Sequence, residues 1–353
     1  LSNTPHTQPR LLHPLLHLNT SDFTRQSYQT TLRGTEFFLV DHRLRAHDGT
    51  TYKVLPGVAY LEMARAAVAH ALPKPSESEE LVLSNTVWLT PVIVTAEEQA
   101  LSIVLSIQNE GEATESVEFQ IASQEDGKEI VNCKGVASHC PAPTPQKLDI
   151  RALKQNMQRR TIDAAQLYTA LEVKGLHYGP AHQGILAVYV GDDELLAELR
   201  LPDAVSSADR NDYVLHPSLL DSAFQACIGL TAGSQLATSD PLAPFALQSL
   251  HIHGRCTDQM VAWVRLSPDR DRESLKFDVD LSDQQGTVCA RIRALVVRAV
   301  SGGLRRSGEG AKRDSSVSGH AAVDQEFDEV FYQELLERVL NKEISAEEAA
   351  ELS

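Results

Sequence analysis

Two periodicities alternate along this chain. Short runs rich in β-branched residues, several of them alternating apolar with polar, predict strands at 37–40, 101–107, 117–121, 195–201, 261–266, 275–281 and 287–297. Helical signals are fewer. Residues 57–72, GVAYLEMARAAVAHAL, are Ala-rich and apolar on most sides, which predicts a buried helix. Residues 217–230, PSLLDSAFQACIGL, form its counterpart, and a third helix is expected at 161–171. The first two helices share a lead-in: Val54-Leu55-Pro56-Gly57 before one and Val214-Leu215-His216-Pro217 before the other. One layout used twice, roughly 160 residues apart, predicts two similar halves, each wrapping a sheet around a central helix.

The pattern breaks near residue 301. Residues 301–325 hold five Gly and five Ser with little to bury, which is linker composition. From 326 to 353 apolar residues return at helical spacing: Phe327, Val330, Phe331, Leu335 and Val339. This is expected to be an acidic helical tail, and it reads as a docking segment or as a tethered helix with no partner.

Composition narrows the function classes. The chain has 42% apolar and 23% charged residues and a net charge of −16. A surface that acidic repels phosphate backbones and anionic lipid, so neither nucleic acid nor membrane is an expected partner. No stretch approaches the ~18 apolar residues of a membrane helix. The opening Leu1-Ser2-Asn3-Thr4 has neither Met nor an apolar signal core, and it reads as a piece cut from a longer chain. Five scattered cysteines suggest no disulfide framework and a reducing, cytoplasmic setting.

Two side chains stand out chemically. His42 follows an apolar run and an aspartate and precedes the first buried helix; it is placed either as a general base or as a surface-turn histidine. Asp221 falls one turn into an apolar helix, where a carboxylate must be paired, protonated or turned to solvent. Gln225, four residues on, shares its face. His251, His253 and Cys256 resemble metal-ligand spacing, but alternate strand residues share a face by geometry alone and no fourth ligand is evident, so no metal is expected. Cys133 and Cys140 are expected in or beside a strand. The chain has no G-x-S-x-G, Walker or dinucleotide motif.

Taken together, Leu12-His13-Pro14-Leu15-Leu16, Asp41-His42, the run from Val54 to Glu62 (VLPGVAYLE), Gly175-Leu176-His177-Tyr178-Gly179-Pro180 and the run from His216 to Gln225 (HPSLLDSAFQ) resemble dehydratase domains of modular polyketide synthases. The motifs appear in family order across residues 11–300. The resemblance implies an α+β double hot-dog fold, with halves at 1–145 and 146–300, the linker at 301–325 and the tail at 326–353. It implies dehydration of a 3-hydroxyacyl thioester on an acyl carrier protein, with His42 as base and Asp221 as acid. Gln225 would steady the acid, Tyr178 would line the tunnel, and the Gly57 amide, set up by Pro56, would hold the thioester oxygen. It implies no cofactor beyond the carrier's phosphopantetheine arm. The partners implied are the carrier, neighbouring synthase domains and a second copy of the chain. The same fold also serves double-bond isomerases and pyran-forming cyclases, and a non-catalytic docking module is the third reading.

Two features depart from the family. Fourteen positions separate His42 from Pro56, against nine in HxxxGxxxxP. Asp48-Gly49 signals a longer hairpin there, which either leaves His42 in place or displaces it. Its cations Arg43, Arg45 and Lys53 would help receive the carrier. The second departure is His182, where the family usually has Phe; a packed histidine is expected in preference to one that lines the tunnel or stands just behind the catalytic residues.

Overall fold

The computed structural model describes residues 11–299 apart from 47–48, 74–75, 77, 96–97, 109–115, 126, 145–146, 232–240 and 268–274. The expected linker and tail lie outside the described residues. Alternation does what period two requires. In the strand Ser116–Glu125, Val117, Phe119 and Ile121 are buried while the intervening Ser116, Glu118 and Gln120 are not. Strands of this kind pair antiparallel into one sheet of thirteen. Its first six strands, ending with Glu79–Trp88, come from the first part of the chain, and the other seven, beginning with Leu242–Ile252, come from the second. These two strands join the halves edge to edge, with Leu83 opposite Leu250 and His251 opposite Val82.

Each half curls around one helix. Gly57–Ala71 packs on the first set of strands and Pro217–Ala226 on the second, and the two helices touch each other. Leu61, Val58 and Ala64 of the first and Leu220 and Ala223 of the second are completely buried. Burying one such leucine contributes about 1.5–3 kcal/mol, so the helices anchor the core. This is the double hot-dog arrangement. All five cysteines are free thiols, and Cys133 and Cys140 share the strand Lys128–Pro141.

Three expectations need correction. Residues 37–40 form one helical turn, Phe37–Val40, because tucking Phe38 and Leu39 into the core outweighs the strand propensity of four apolar residues. The expected helix at 161–171 begins later. Residues Arg160–Asp163 pair as a strand with 187–190, and Asp163 then opens the helix Ala164–Val173 through a capping box with Gln166. The helix from Pro217 ends at Ala226, and a separate turn, Ile228–Thr231, follows.

A second, four-stranded sheet links the halves beside the helices. Its order is Leu176–Tyr178, His42–Arg45, Thr51–Val54 and Ile93–Val94. The lengthened segment is a hairpin within it, with Arg43 opposite Lys53 and Arg45 opposite Thr51. Its turn is closed by Ala46 N–H donating to Thr50 O and Gly49 N–H donating to Ala46 O. Gly49 has φ +86° with open space around it, so glycine is favoured there by conformation and not by crowding. Asp48 lies outside the described residues.

Candidate active site

The bridging sheet fixes His42. Its partner across the ladder is Tyr178, from the other half, and the two rings meet edge-on at 5.4 Å. Its Nδ1 lies 2.8 Å from the Val54 carbonyl. A carbonyl can only accept, so Nδ1 carries the proton and Nε2 is left with its lone pair. The bond ties His42 to the second strand of the hairpin at its base. Burial lowers the His42 pKa, the Asp221 charge opposes that and the His182 ring adds to it; the net direction is down. His42 is therefore neutral at neutral pH.

Asp221 is held from the second half. Pro217 occupies the first turn of its helix, and the Ser218 amide donates to the ring nitrogen Nδ1 of the N-cap residue His216. Asp221 is 6% exposed, so its carboxyl is largely withdrawn from water. Gln225 Nε2 donates to Asp221 Oδ2 at 2.7 Å and also to the backbone carbonyl of His182 at 3.1 Å. His182 Nδ1 lies 3.2 Å from the same Oδ2. Burial alone would raise this carboxyl, but the His182 hydrogen bond, the His42 and His182 rings and the Gln225 amide outweigh it, leaving it below its ordinary value.

His182 sits at the centre of the site. It is completely buried and its ring centroid is 5.7 Å from that of His42 and 6.4 Å from that of Tyr178. The turn Pro180–His182 that carries it is pinned to the first half: Asp41 Oδ2 accepts from Ala181 N–H at 2.7 Å, and Asp41 O accepts from Gly179 N–H. The Asp-His pair thus does two jobs, Asp41 fixing the turn and His42 standing against the rings of Tyr178 and His182. The sequence favoured a packed histidine; His182 is packed, and it is also bonded to Asp221.

Tyr178 stands against the His42 ring, with Tyr168 close by at 6.4 Å between rings. Burial, followed by the Asp221 charge, raises the Tyr178 phenol well above its ordinary value, so it is a hydrogen-bond donor and not a phenolate. Gly57 is the first residue of its helix, with Pro56 as N-cap. A Cβ at Gly57 would lie 2.5 Å from the Pro244 ring, so the second half crosses directly over this helix start.

The comparisons with known proteins bear on all of this. Residues 13–124 match the family described as polyketide synthase dehydratase domain, and residues 149–306 match polyketide synthase dehydratase N-terminal domain. A solved dehydratase domain of a trans-AT polyketide synthase from Brevibacillus brevis is 36% identical, with a TM-score of 0.75, and the match covers 83% of this chain and 100% of that one. The chain belongs to the polyketide synthase dehydratase family. The dehydratase domain of RzxB from Pseudomonas fluorescens is 27% identical with a TM-score of 0.70, over 82% of this chain and 100% of that one. Polyketide synthase PksM of Bacillus subtilis is 36% identical over 90% of this chain. The matched region is 7% of that relative's length, so this dehydratase corresponds to one segment of a far longer synthase. Dehydratases of this family are hydro-lyases.

Several residues that organise the dehydratase site gave little sign of it in the sequence. Phe37 packs against the rings of His182, Tyr213 and His216 at 5.6–6.2 Å and forms the apolar wall behind the histidines. Glu62, inside the first central helix, is completely buried and bonds the backbone of Val214 and Leu215, just ahead of the Asp221 helix. An acid in the middle of an apolar helix was the available signal. His251 and His253 do not approach this site; both donate toward the buried carboxylate of Glu80, at the seam between the halves. Among the described residues no helix is long and apolar enough to cross a membrane.

Proposed function

We propose that this dehydratase removes water from a 3-hydroxyacyl thioester carried on the phosphopantetheine arm of an acyl carrier protein, with His42 as general base and Asp221 as general acid. The observation that carries the reading is the pairing of a neutral imidazole, its Nε2 free, with a largely buried carboxyl contributed by the other half. His42 Nε2 takes the α-proton. Electrons move into the Cα–Cβ bond, the Cβ–O bond breaks, and Asp221 protonates the departing hydroxyl to water. The reactive form of the pair, the minor one in the free site because Asp221 lies below its ordinary value, begins with one proton, on Asp221, and ends with one, on His42; return of that proton resets it. The Gly57 amide, at a helix start where backbone N–H groups favour negative charge, faces the thioester oxygen as it becomes enolate-like.

Retention of Asp221 together with its Gln225 partner supports dehydration over double-bond isomerisation, which needs no acid at the β-hydroxyl. The reading calls for no cofactor of the dehydratase's own. The test is intact mass of a carrier-bound 3-hydroxyacyl chain before and after incubation. Loss of one water is expected. An unchanged mass over a panel of chain lengths and both hydroxyl configurations would refute the reading.

A further inference from the structure

Asp221 has two oxygens, and the site treats them differently. Both hydrogen bonds to its carboxyl fall on Oδ2: Gln225 Nε2 at 2.7 Å and His182 Nδ1 at 3.2 Å. Among the described residues none falls on Oδ1. An ionised carboxylate only accepts, so His182 Nδ1 is the donor, and the other ring nitrogen is Nε2. That Nε2 is buried without a hydrogen-bond partner, beside the ring of Phe37 at 6.2 Å between centroids. A completely buried imidazole that leaves one nitrogen unsatisfied is not explained as packing, because an apolar ring would fill the same space without that cost.

We propose that His182 is a positioning residue that, with Gln225, holds Asp221 Oδ2 as a fixed acceptor and so assigns the transferable proton to Oδ1. The inference rests on the dehydration mechanism above and adds a rule about which oxygen works. With two donors on Oδ2, a proton there would have to displace one of them, whereas Oδ1 is unopposed. When Oδ1 delivers its proton to the departing hydroxyl, the charge left on the carboxylate is met by hydrogen bonds already in place. Gln225 alone would leave the carboxyl free to rotate about its own axis. The His182 bond comes from a different segment, pinned through Asp41, and stops that rotation. The same bond holds the carboxyl low, and the other titratable groups around Asp221 are His42 and Tyr178 of the bridging sheet, Tyr168 of the helix Ala164–Val173, and His216 at the start of its own helix.

The experiment compares His182→Phe, which keeps a ring but loses the donor, with His182→Asn, whose side-chain N–H falls near the position of Nδ1. Turnover of the carrier-bound substrate is measured against pH. In parallel, the Asp221 carboxyl is titrated by infrared difference spectroscopy, its band assigned by Asp221→Asn. His182→Phe is expected to lower kcat about 10–100-fold, the lower part of the range for acid–base catalysis, with KM little changed. Loss of the donor raises the Asp221 pKa, so the infrared midpoint moves to higher pH. His182→Asn is expected to restore most of the rate and the midpoint. An unmoved infrared midpoint in His182→Phe overturns the proposal, and so do equal losses in both variants. The infrared reading does not depend on turnover. A parent protein that removes no water therefore sinks the dehydration reading, while the midpoint still judges the role of His182.

Discussion

Replacing Glu62 by Gln removes one charge from the most heavily bonded carboxylate of the core. Glu62 accepts Arg65 Nε at 2.7 Å and Nη2 at 2.9 Å, the amides of Val214 and Leu215 at 2.9 and 3.0 Å, and His13 Nε2 at 3.2 Å. Burial alone would raise its pKa, but the His13 hydrogen bond and the Arg65 charge and hydrogen bonds bring it below 4.5. Gln keeps the shape and has one acceptor oxygen, so its NH₂ must face at least one of those donors. Disrupting a buried pair costs about 3–5 kcal/mol, and the isosteric change belongs at the lower end, about 3 kcal/mol. With an m-value of roughly 3 kcal/mol/M in urea for a chain of this size, the midpoint falls by about 1 M at unchanged m. The pH dependence has a definite sign. A carboxylate lowered in the folded state contributes stability above its unfolded pKa and loses it as pH falls through the folded value. The gap between parent and Glu62→Gln should therefore be full at pH 7 and close below about pH 4.5, near the ordinary carboxylate value. Urea melts at several pH values measure it. A midpoint shift under about 0.2 M at pH 7, or a gap unchanged down to pH 3, would refute the reasoning. Because Glu62 ties the first central helix to the segment that starts the Asp221 helix, kcat should also fall while the protein remains folded.

Five further outcomes are expected. His42→Ala and Asp221→Asn should each lower dehydration at least ~100-fold without loss of fold, and full activity in either variant removes that residue from the mechanism. Since burial depresses the His42 pKa, the acid limb of parental kcat/KM should lie below pH 6.5, the ordinary histidine value; a fall beginning above it would contradict the assignment. Gly57→Ala should destabilise the fold and slow turnover, because a Cβ 2.5 Å from the rigid Pro244 ring forces the helix start and the crossing strand apart; a normal melting temperature and kcat would show that the crossing yields freely. Arg43 and Arg45 are exposed, while Lys53 Nζ is held by the Gly34 carbonyl, so Arg43→Ser with Arg45→Ser should raise KM for carrier-bound substrate but not for a small pantetheine thioester, and equal effects on both would end the docking idea. Light scattering on the chain should give twice its 38.7 kDa, since two-fold pairing is the commonest assembly of soluble domains, and a monomer mass would contradict that.

How far the sequence could be read follows from the range of the forces involved. The central helices were legible because an unbroken apolar surface over fifteen residues has few other uses. The Asp163–Gln166 capping box marks the true start of its helix, a local cue that the expectation of a helix from 161 passed over. The four apolar residues at 37–40 were undecidable locally, since a short apolar run suits a strand or a helical turn equally, and only burial of Phe38 and Leu39 chose between them.

The site divides in the same way. His42, Asp221, Gln225, Tyr178, Pro56 and Gly57 were nominated by local motifs, and Gln225 reaches Asp221 because four residues make one helical turn. His182 to Asp221 spans 39 positions, and His251 and His253 find Glu80 across more than 170. No periodicity encodes such contacts; they exist because the bridging sheet and the seam between halves bring distant segments into register. By itself the sequence determined the two central helices, most of the strands and which side chains could carry acid–base chemistry, since these depend on neighbours a few residues away. Only the tertiary structure decided that a histidine from one turn would bind one oxygen of an aspartate on another helix, because hydrogen bonds act over about 3 Å and only folding brings those atoms so close.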